Sequence, residues 1–125
     1  LAAAYRLPKE TPAQQAAKAA ALEAALDGAC TVPLAILDAC GEGIALAAEY
    51  AEKGSVLAVS DAGCATLFCK AAMEAAGLNV SINTKLMADR AKAKAFNARA
   101  DALLAEYAPL ADKLYEKLAH QLREE

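Results

Sequence analysis

Apolar residues recur at three- and four-residue intervals along almost the whole chain, and short polar or glycine- and proline-bearing segments punctuate them. Leu1-Ala2-Ala3-Ala4-Tyr5 reads as the tail of a helix, with no capping residue at its start. It stops at Arg6-Leu7, because Pro8 disfavours helical geometry in the residue before it. Thr11-Pro12-Ala13-Gln14 opens a new helix: Thr11 caps, Pro12 suits the first helical position and Gln14 completes a capping box. This helix is expected near 12–30. Gly28 and Pro33 bracket a kink or break, with Thr31 placed to cap a restart near 32–53. In that second stretch Leu34, Leu37, Ile44, Ala48 and Ala51 fall at helical spacing. Gly41 and Gly43 lie within it, and each costs about 1 kcal/mol against alanine. Either the helix is interrupted there or a neighbour packs very close. Gly54 is a natural stop, and 55–59 reads as a loop. Ser60 then caps a third helix near 60–87, with Asp61 in its first turn, where a negative charge meets the helix dipole. A fourth helix is expected near 89–123, with Pro109 placed to kink it. Val80-Ser81-Ile82 is the nearest thing to a strand and is too short to outweigh its flanks. The expected fold class is therefore all-α, a bundle of about four long helices in one domain, with no internal repeat.

Composition narrows this picture. Alanine supplies 36 of the 125 residues and leucine 17, while aromatic residues make up only 5%. Such a core is thin, with closely packed helix axes. The net charge of −3 argues against a nucleic-acid groove or an anionic-membrane surface. No apolar run reaches the roughly 18 residues of a membrane span, and no basic-then-apolar leader pattern is present. Cys30, Cys40, Cys64 and Cys69 form no CxxC pair and there is one histidine, so no metal is expected. Unpaired cysteines of this kind read as small buried hydrophobes in a reducing cytoplasm.

The third helix carries the candidate chemistry. Position 79 lies 18 residues after 61, which at about 100° per residue is a whole number of turns. Asp61, Asn79 and Asn83 therefore share one stripe, with Ala65, Phe68, Ala72 and Ala76 between them. A carboxylate and two carboxamides on an apolar face need partners, since each buried unpaired group costs about 1–3 kcal/mol. Two readings stand: they cap and bridge neighbouring helices, or they line a ligand pocket or subunit interface. Eighteen residues of helix span about 27 Å, so one small ligand does not reach both ends on a single chain. Lys9, beside Pro8, sits in a rigid connector where it either meets an anion or is simply solvated. His120, the basic group Lys85, Arg90, Lys92 and Lys94, and the four tyrosines read as solvated or packing residues.

Three stretches together resemble a known family. Leu7-Pro8-Lys9-Glu10-Thr11 precedes an alanine-rich helix leading to Val32-Pro33-Leu34. Ala51-Glu52-Lys53-Gly54 leads to Val59-Ser60-Asp61-Ala62-Gly63, and Leu78-Asn79-Val80-Ser81-Ile82-Asn83 follows. In this order they are similar to the C-terminal domain family of formiminotransferase-cyclodeaminase, over roughly residues 1–95. That family includes formimidoyltetrahydrofolate cyclodeaminase and bacterial methenyltetrahydrofolate cyclohydrolases.

The resemblance implies an all-helical homodimer acting on a tetrahydrofolate adduct without a metal, with a formiminotransferase domain or protein as a further partner. It points to Lys9, Ser60, Asp61, Asn79 and Asn83 as substrate-binding residues, with Lys9 toward the glutamate tail. The family's catalytic aspartate follows a glycine-rich stretch ahead of the Leu-Pro-Lys turn. That stretch is not in this sequence, so the acid/base aspartate is expected upstream of Leu1, and no residue here is named in its place. The chain is expected to be the C-terminal two-thirds of such a domain, and inactive on its own if so. Residues 96–125 exceed the family's usual tail and receive no role. The competing expectation is a non-catalytic helical dimerisation module of the same fold. Cyclodeaminase and cyclohydrolase are not separated by these residues.

Overall fold

Thr11 decides where the first long helix begins. Its Oγ1 accepts from the Gln14 amide at 3.2 Å, while the Gln14 side chain accepts from the Thr11 and Glu10 amides. The computed structural model describes residues 1–124. In order these form α1 (Ala2–Tyr5), α2 (Pro12–Lys53), a short 3-10 turn (Val56–Ala58), α3 (Val59–Leu86) and α4 (Arg90–Gln121). Leu1 stands at the N-cap of α1 and makes no side-chain capping bond, as its apolar side chain dictates. There is no strand among the described residues, and the Val80-Ser81-Ile82 stretch is helical.

Two expected helices are one. The break placed at Gly28–Pro33 does not occur, and α2 runs 42 residues through Pro33. A mid-helix proline removes the hydrogen bond to the carbonyl four residues back, at a cost of about 3 kcal/mol or more. That carbonyl is Ala29, and Asn83 on α3 donates to it from Nδ2 at 3.0 Å. A tertiary contact thus replaces the missing bond and the helix continues. Thr31 caps nothing; its hydroxyl donates back to the Asp27 carbonyl at 2.9 Å. The start of α3 is also earlier than expected. Ser55, not Ser60, holds the approach by accepting from the Leu57 amide, and α3 flows out of the 3-10 turn with no side-chain cap. Asp61 does lie in the first turn. Likewise α4 passes through Pro109 uninterrupted, capped by Asp89.

α2, α3 and α4 pack up-down-up. At the middle, Leu37 and Ile44 of α2 meet Met73, Ala76 and Val80 of α3 and Ala100, Leu103 and Ala111 of α4. One end is closed by Ala47, Val59, Ala62, Leu114 and Leu118, the other by Leu26, Cys30, Met87 and Ala93. The close neighbour that Gly41 required is Tyr107 of α4, whose ring carbons lie 2.6 Å from where a Cβ would stand. Polar ties fix the register. Glu23 accepts from the Ala88 and Asp89 amides ahead of α4. Arg90 donates to the Thr84 and Met87 carbonyls at the end of α3. Asp27–Lys92 and Asp38–Arg99 pair α2 with α4.

Buried positions on α2 begin only at Leu26. Its first turns extend past the three-helix core and meet α1, whose end is held by Lys18 donating to the Tyr5 and Leu7 carbonyls. By length and composition α2 and α3 each contain a stretch apolar enough to cross a membrane, which corrects the expectation that none would. Alanine supplies much of that apolarity.

Candidate functional site

The face of α2 and α3 turned away from α4 is a valley floored by small residues. Alanines and Gly43 let the two helices approach, and larger apolar side chains stand along the rims. Val32, Ile36, Leu46 and Tyr50 on α2 and Phe68 on α3 are all exposed, Phe68 by 75%. At the narrowest point the Cys69 Sγ lies 2.9 Å from where a Gly43 Cβ would stand. This waist divides the valley in two.

On one side is a cavity of about 520 Å³ lined by Ala29, Val32, Pro33 and Ile36 of α2 and Ala72, Ala75, Ala76, Asn79 and Asn83 of α3. Both Asn83 amide hydrogens are committed, one to the Ala29 carbonyl and one to the Asn79 carbonyl at 2.8 Å. Asn79 gives one of its own to the Ala75 carbonyl at 2.9 Å. Carbonyls only accept, so these bonds fix which end of each carboxamide is nitrogen. What remains for a ligand is two side-chain oxygens and one N–H, set among alanine, valine and isoleucine. The arrangement suits a flat apolar molecule with a donor-rich edge.

On the other side of the waist a cavity of about 420 Å³ runs from Gly43 and Cys69 to Leu46, Tyr50, Ala58 and Asp61. The Asp61 carboxylate makes no ion pair among the described residues. Ser60 faces neither cavity; it lines a groove of about 350 Å³ between α3 and α4, with Tyr115 and Arg123. Lys9 is exposed in the connector before α2, where its carbonyl accepts from Gln15 Nε2. By helical rise it lies roughly 25 Å along α2 from Ala29.

The structure therefore brings together Asn79 and Asn83 and separates the other three. Leu1, the residue ahead of which the catalytic aspartate is expected, has no part in this site. Its side chain is exposed and lines neither valley cavity, and its carbonyl accepts from the Tyr5 amide at 3.2 Å. An aspartate preceding Leu1 falls outside the described residues, so the catalytic acid/base receives no position here. Pro33, Gly43 and Tyr50 also line the valley, beyond the five residues expected from the sequence. For Pro33 the sequence held a signal: a proline inside a helix leaves a carbonyl in need of a donor, and an asparagine on an apolar stripe is one. Among the described residues no group of His, Cys, Asp and Glu is placed to hold a metal.

The model of the formiminotransferase-cyclodeaminase family matches residues 1–102. The chain belongs to that family. It is also 44% identical, over 113 residues, to a methenyltetrahydrofolate cyclohydrolase of Methylorubrum extorquens. The match covers 90% of this chain and 54% of the relative, so the chain spans about half the length of the curated protein it resembles. The family's resemblance, first visible in the Leu-Pro-Lys, Ser-Asp-Ala-Gly and Asn79-to-Asn83 stretches, thus extends a few residues further into α4 than the 1–95 expected.

Proposed function

We propose that this chain contributes the folate-holding helices of a methenyltetrahydrofolate cyclohydrolase. The observation that carries the reading is the asparagine cavity: two oriented carboxamides in an otherwise apolar slot, complementary to the amide-like edge of a pterin. The likeness to a protein of that name favours cyclohydrolase over cyclodeaminase. In the reaction, water adds to the methenyl carbon and the ring opens to a formyl group. A rigid slot that holds the ring in one pose supplies positioning, and carboxamides left unpaired by a wrong ligand supply discrimination. Asp61 is given no acid–base role, because it lies across the waist from the asparagines. The reading assigns no acid or base from Leu1 onward.

In the same proposal two copies pair across the valley. Val32, Ile36, Leu46, Tyr50 and Phe68 form an exposed apolar surface of the kind that obligate helical interfaces cover. A second copy also supplies the reach that one chain lacks, placing Lys9 or Asp61 of one protomer toward the slot of the other. Lys9 then meets the glutamate carboxylates of the folate tail.

Calorimetric titration of the protein with 5-formyltetrahydrofolate, a stable reduced folate, tests the reading. Asn79→Leu is expected to weaken binding at least about tenfold, roughly 1.4 kcal/mol. Absence of folate binding by the folded protein, or equal affinity in the variant, overturns it.

A further inference from the structure

Cys40 and Cys69 lie on different helices, 29 residues apart in sequence, yet both pack against the central core cluster. Antiparallel α2 and α3 bring them to the waist of the valley, where Cys69 Sγ already touches the α2 surface at Gly43, one turn on from Cys40. Cys69 is thus the neighbour of Cys40 across the seam, near enough to add to the rise in the Cys40 thiol's pKa. Both are half-buried, whereas Cys30 is fully buried and Cys64 exposed on α3. Cys69 also lines the open cavity on the Asp61 side, so a small solute reaches it from the valley.

We propose that Cys40 and Cys69 are a two-electron redox pair that a hydroperoxide converts into a disulfide stapling α2 to α3. The Cys69 thiolate attacks the distal peroxide oxygen, the O–O bond breaks, and water or alcohol leaves. Cys69 is then a sulfenic acid. The Cys40 sulfur attacks the Cys69 sulfur, the S–O bond breaks, and a second water leaves with the Cys40 proton. Two thiols have lost two electrons and the peroxide has gained them. The order follows from access: Cys69 opens to the cavity, while burial and the neighbouring Cys69 push the Cys40 thiol's pKa up and keep it protonated until its partner is oxidised. The staple closes a long chain segment, which raises stability by restricting the unfolded chain. It also fixes the α2–α3 separation at the wall between the two cavities. The reaction belongs to the chain with its valley open, before a second copy covers it, and does not depend on the folate reading.

The test uses the Cys64→Ser protein, which removes the exposed thiol. It is treated with a few equivalents of hydrogen peroxide, alkylated, and cut before aspartate. Cleavage at Asp27, Asp38, Asp61 and Asp89 places Cys30, Cys40 and Cys69 on separate peptides. The expected result is a joined 38–60/61–88 peptide, a mass lower by two hydrogens, and a melting temperature higher by at least about 5 °C that dithiothreitol reverses. In the additional Cys40→Ser variant, dimedone is expected to label Cys69. Full alkylation of Cys40 and Cys69 after peroxide overturns the proposal. So does dimedone label confined to Cys30, or oxidation that joins chains rather than helices.

Discussion

Asn83 completes the helix that Pro33 interrupts: its Nδ2 donates at 3.0 Å to the Ala29 carbonyl, the one acceptor in α2 that residue 33 has no N–H to reach. The two residues therefore depend on each other across the α2–α3 seam. Asn83→Leu is expected to cost about 1–2 kcal/mol, the cost of a half-buried acceptor losing its donor. In a Pro33→Ala background the residue-33 amide reaches the Ala29 carbonyl itself, and the same change is expected to cost at least about 1 kcal/mol less. Urea melts of the four proteins measure this coupling. Equal cost in both backgrounds would dissolve the link. The double variant also separates roles: folate affinity lost there reports the Asn83 oxygen, not the helix.

Two glycine-to-alanine changes in α2 are expected to have opposite signs. At Gly28 a new Cβ meets nothing within 4 Å, so the gain in helix propensity, about 0.5–1 kcal/mol, stands alone. At Gly41 the Cβ meets the Tyr107 ring at 2.6 Å, and overpacking of about 1–3 kcal/mol outweighs that gain. Thermal melts decide both. A stabilised Gly41→Ala protein would mean that Tyr107 swings clear.

Glu23 is the anchor of the α3–α4 corner. Its two oxygens accept from the Ala88 and Asp89 amides at 2.8 and 3.0 Å, just ahead of the helix whose N-terminal dipole favours a carboxylate. Glu23→Ala is expected to destabilise by about 1–2 kcal/mol, and Glu23→Gln, which keeps one acceptor, by about half as much. Equal loss in the two variants, read from urea midpoints, would assign the effect to packing of the side chain instead.

The protein is expected to be sensitive to base. Burial, and then the nearby Asp27 carboxylate, push the Cys30 thiol up; burial and then Cys69 do so for Cys40. The Glu106 carboxylate raises Tyr107, and hydrogen bonds to Asp112 and Asp27 raise Lys70 and Lys92. Each group holds its proton longer in the folded chain than in the unfolded one. Stability is then complete below the unfolded values and falls as pH rises past them. The melting temperature is expected to stay level through neutrality, to decline from about pH 8.5 as unfolded thiols ionise, and to fall more steeply above about pH 10. Replacing both Cys30 and Cys40 by serine should move the onset upward; an unchanged onset would place its cause elsewhere.

Helix content and the start of α2 were legible because they rest on local rules. Alanine periodicity and the Thr11–Gln14 box act within a few residues. The Pro33 break failed because proline's local penalty was offset from α3, 50 residues away in sequence, by a donor that no window around Pro33 contains. Ser60 failed for the opposite reason: Ser55 reached an amide first, and the 3-10 turn carried the chain into α3 without needing a second cap. Of the site, the spacing of Asn79 and Asn83 predicted their shared face. Which cavity Asp61 would enter depended on Gly43 and Cys69 pinching the valley between them. Lys9's distance followed from α2 being one unbroken rod.

That rod also has an uneven life of its own. Because its first buried side chain is Leu26 while its cap is Thr11, more than three turns stand beyond the core, tied to α1 and, only at Glu23, to the start of α4. Amide hydrogens there are expected to open by fraying, and those between Leu26 and Ala47 only by global unfolding, so deuterium uptake from the start of this helix to its middle should be graded from fast to slow. The exchange boundary falls close to Ala29, the carbonyl that Asn83 holds.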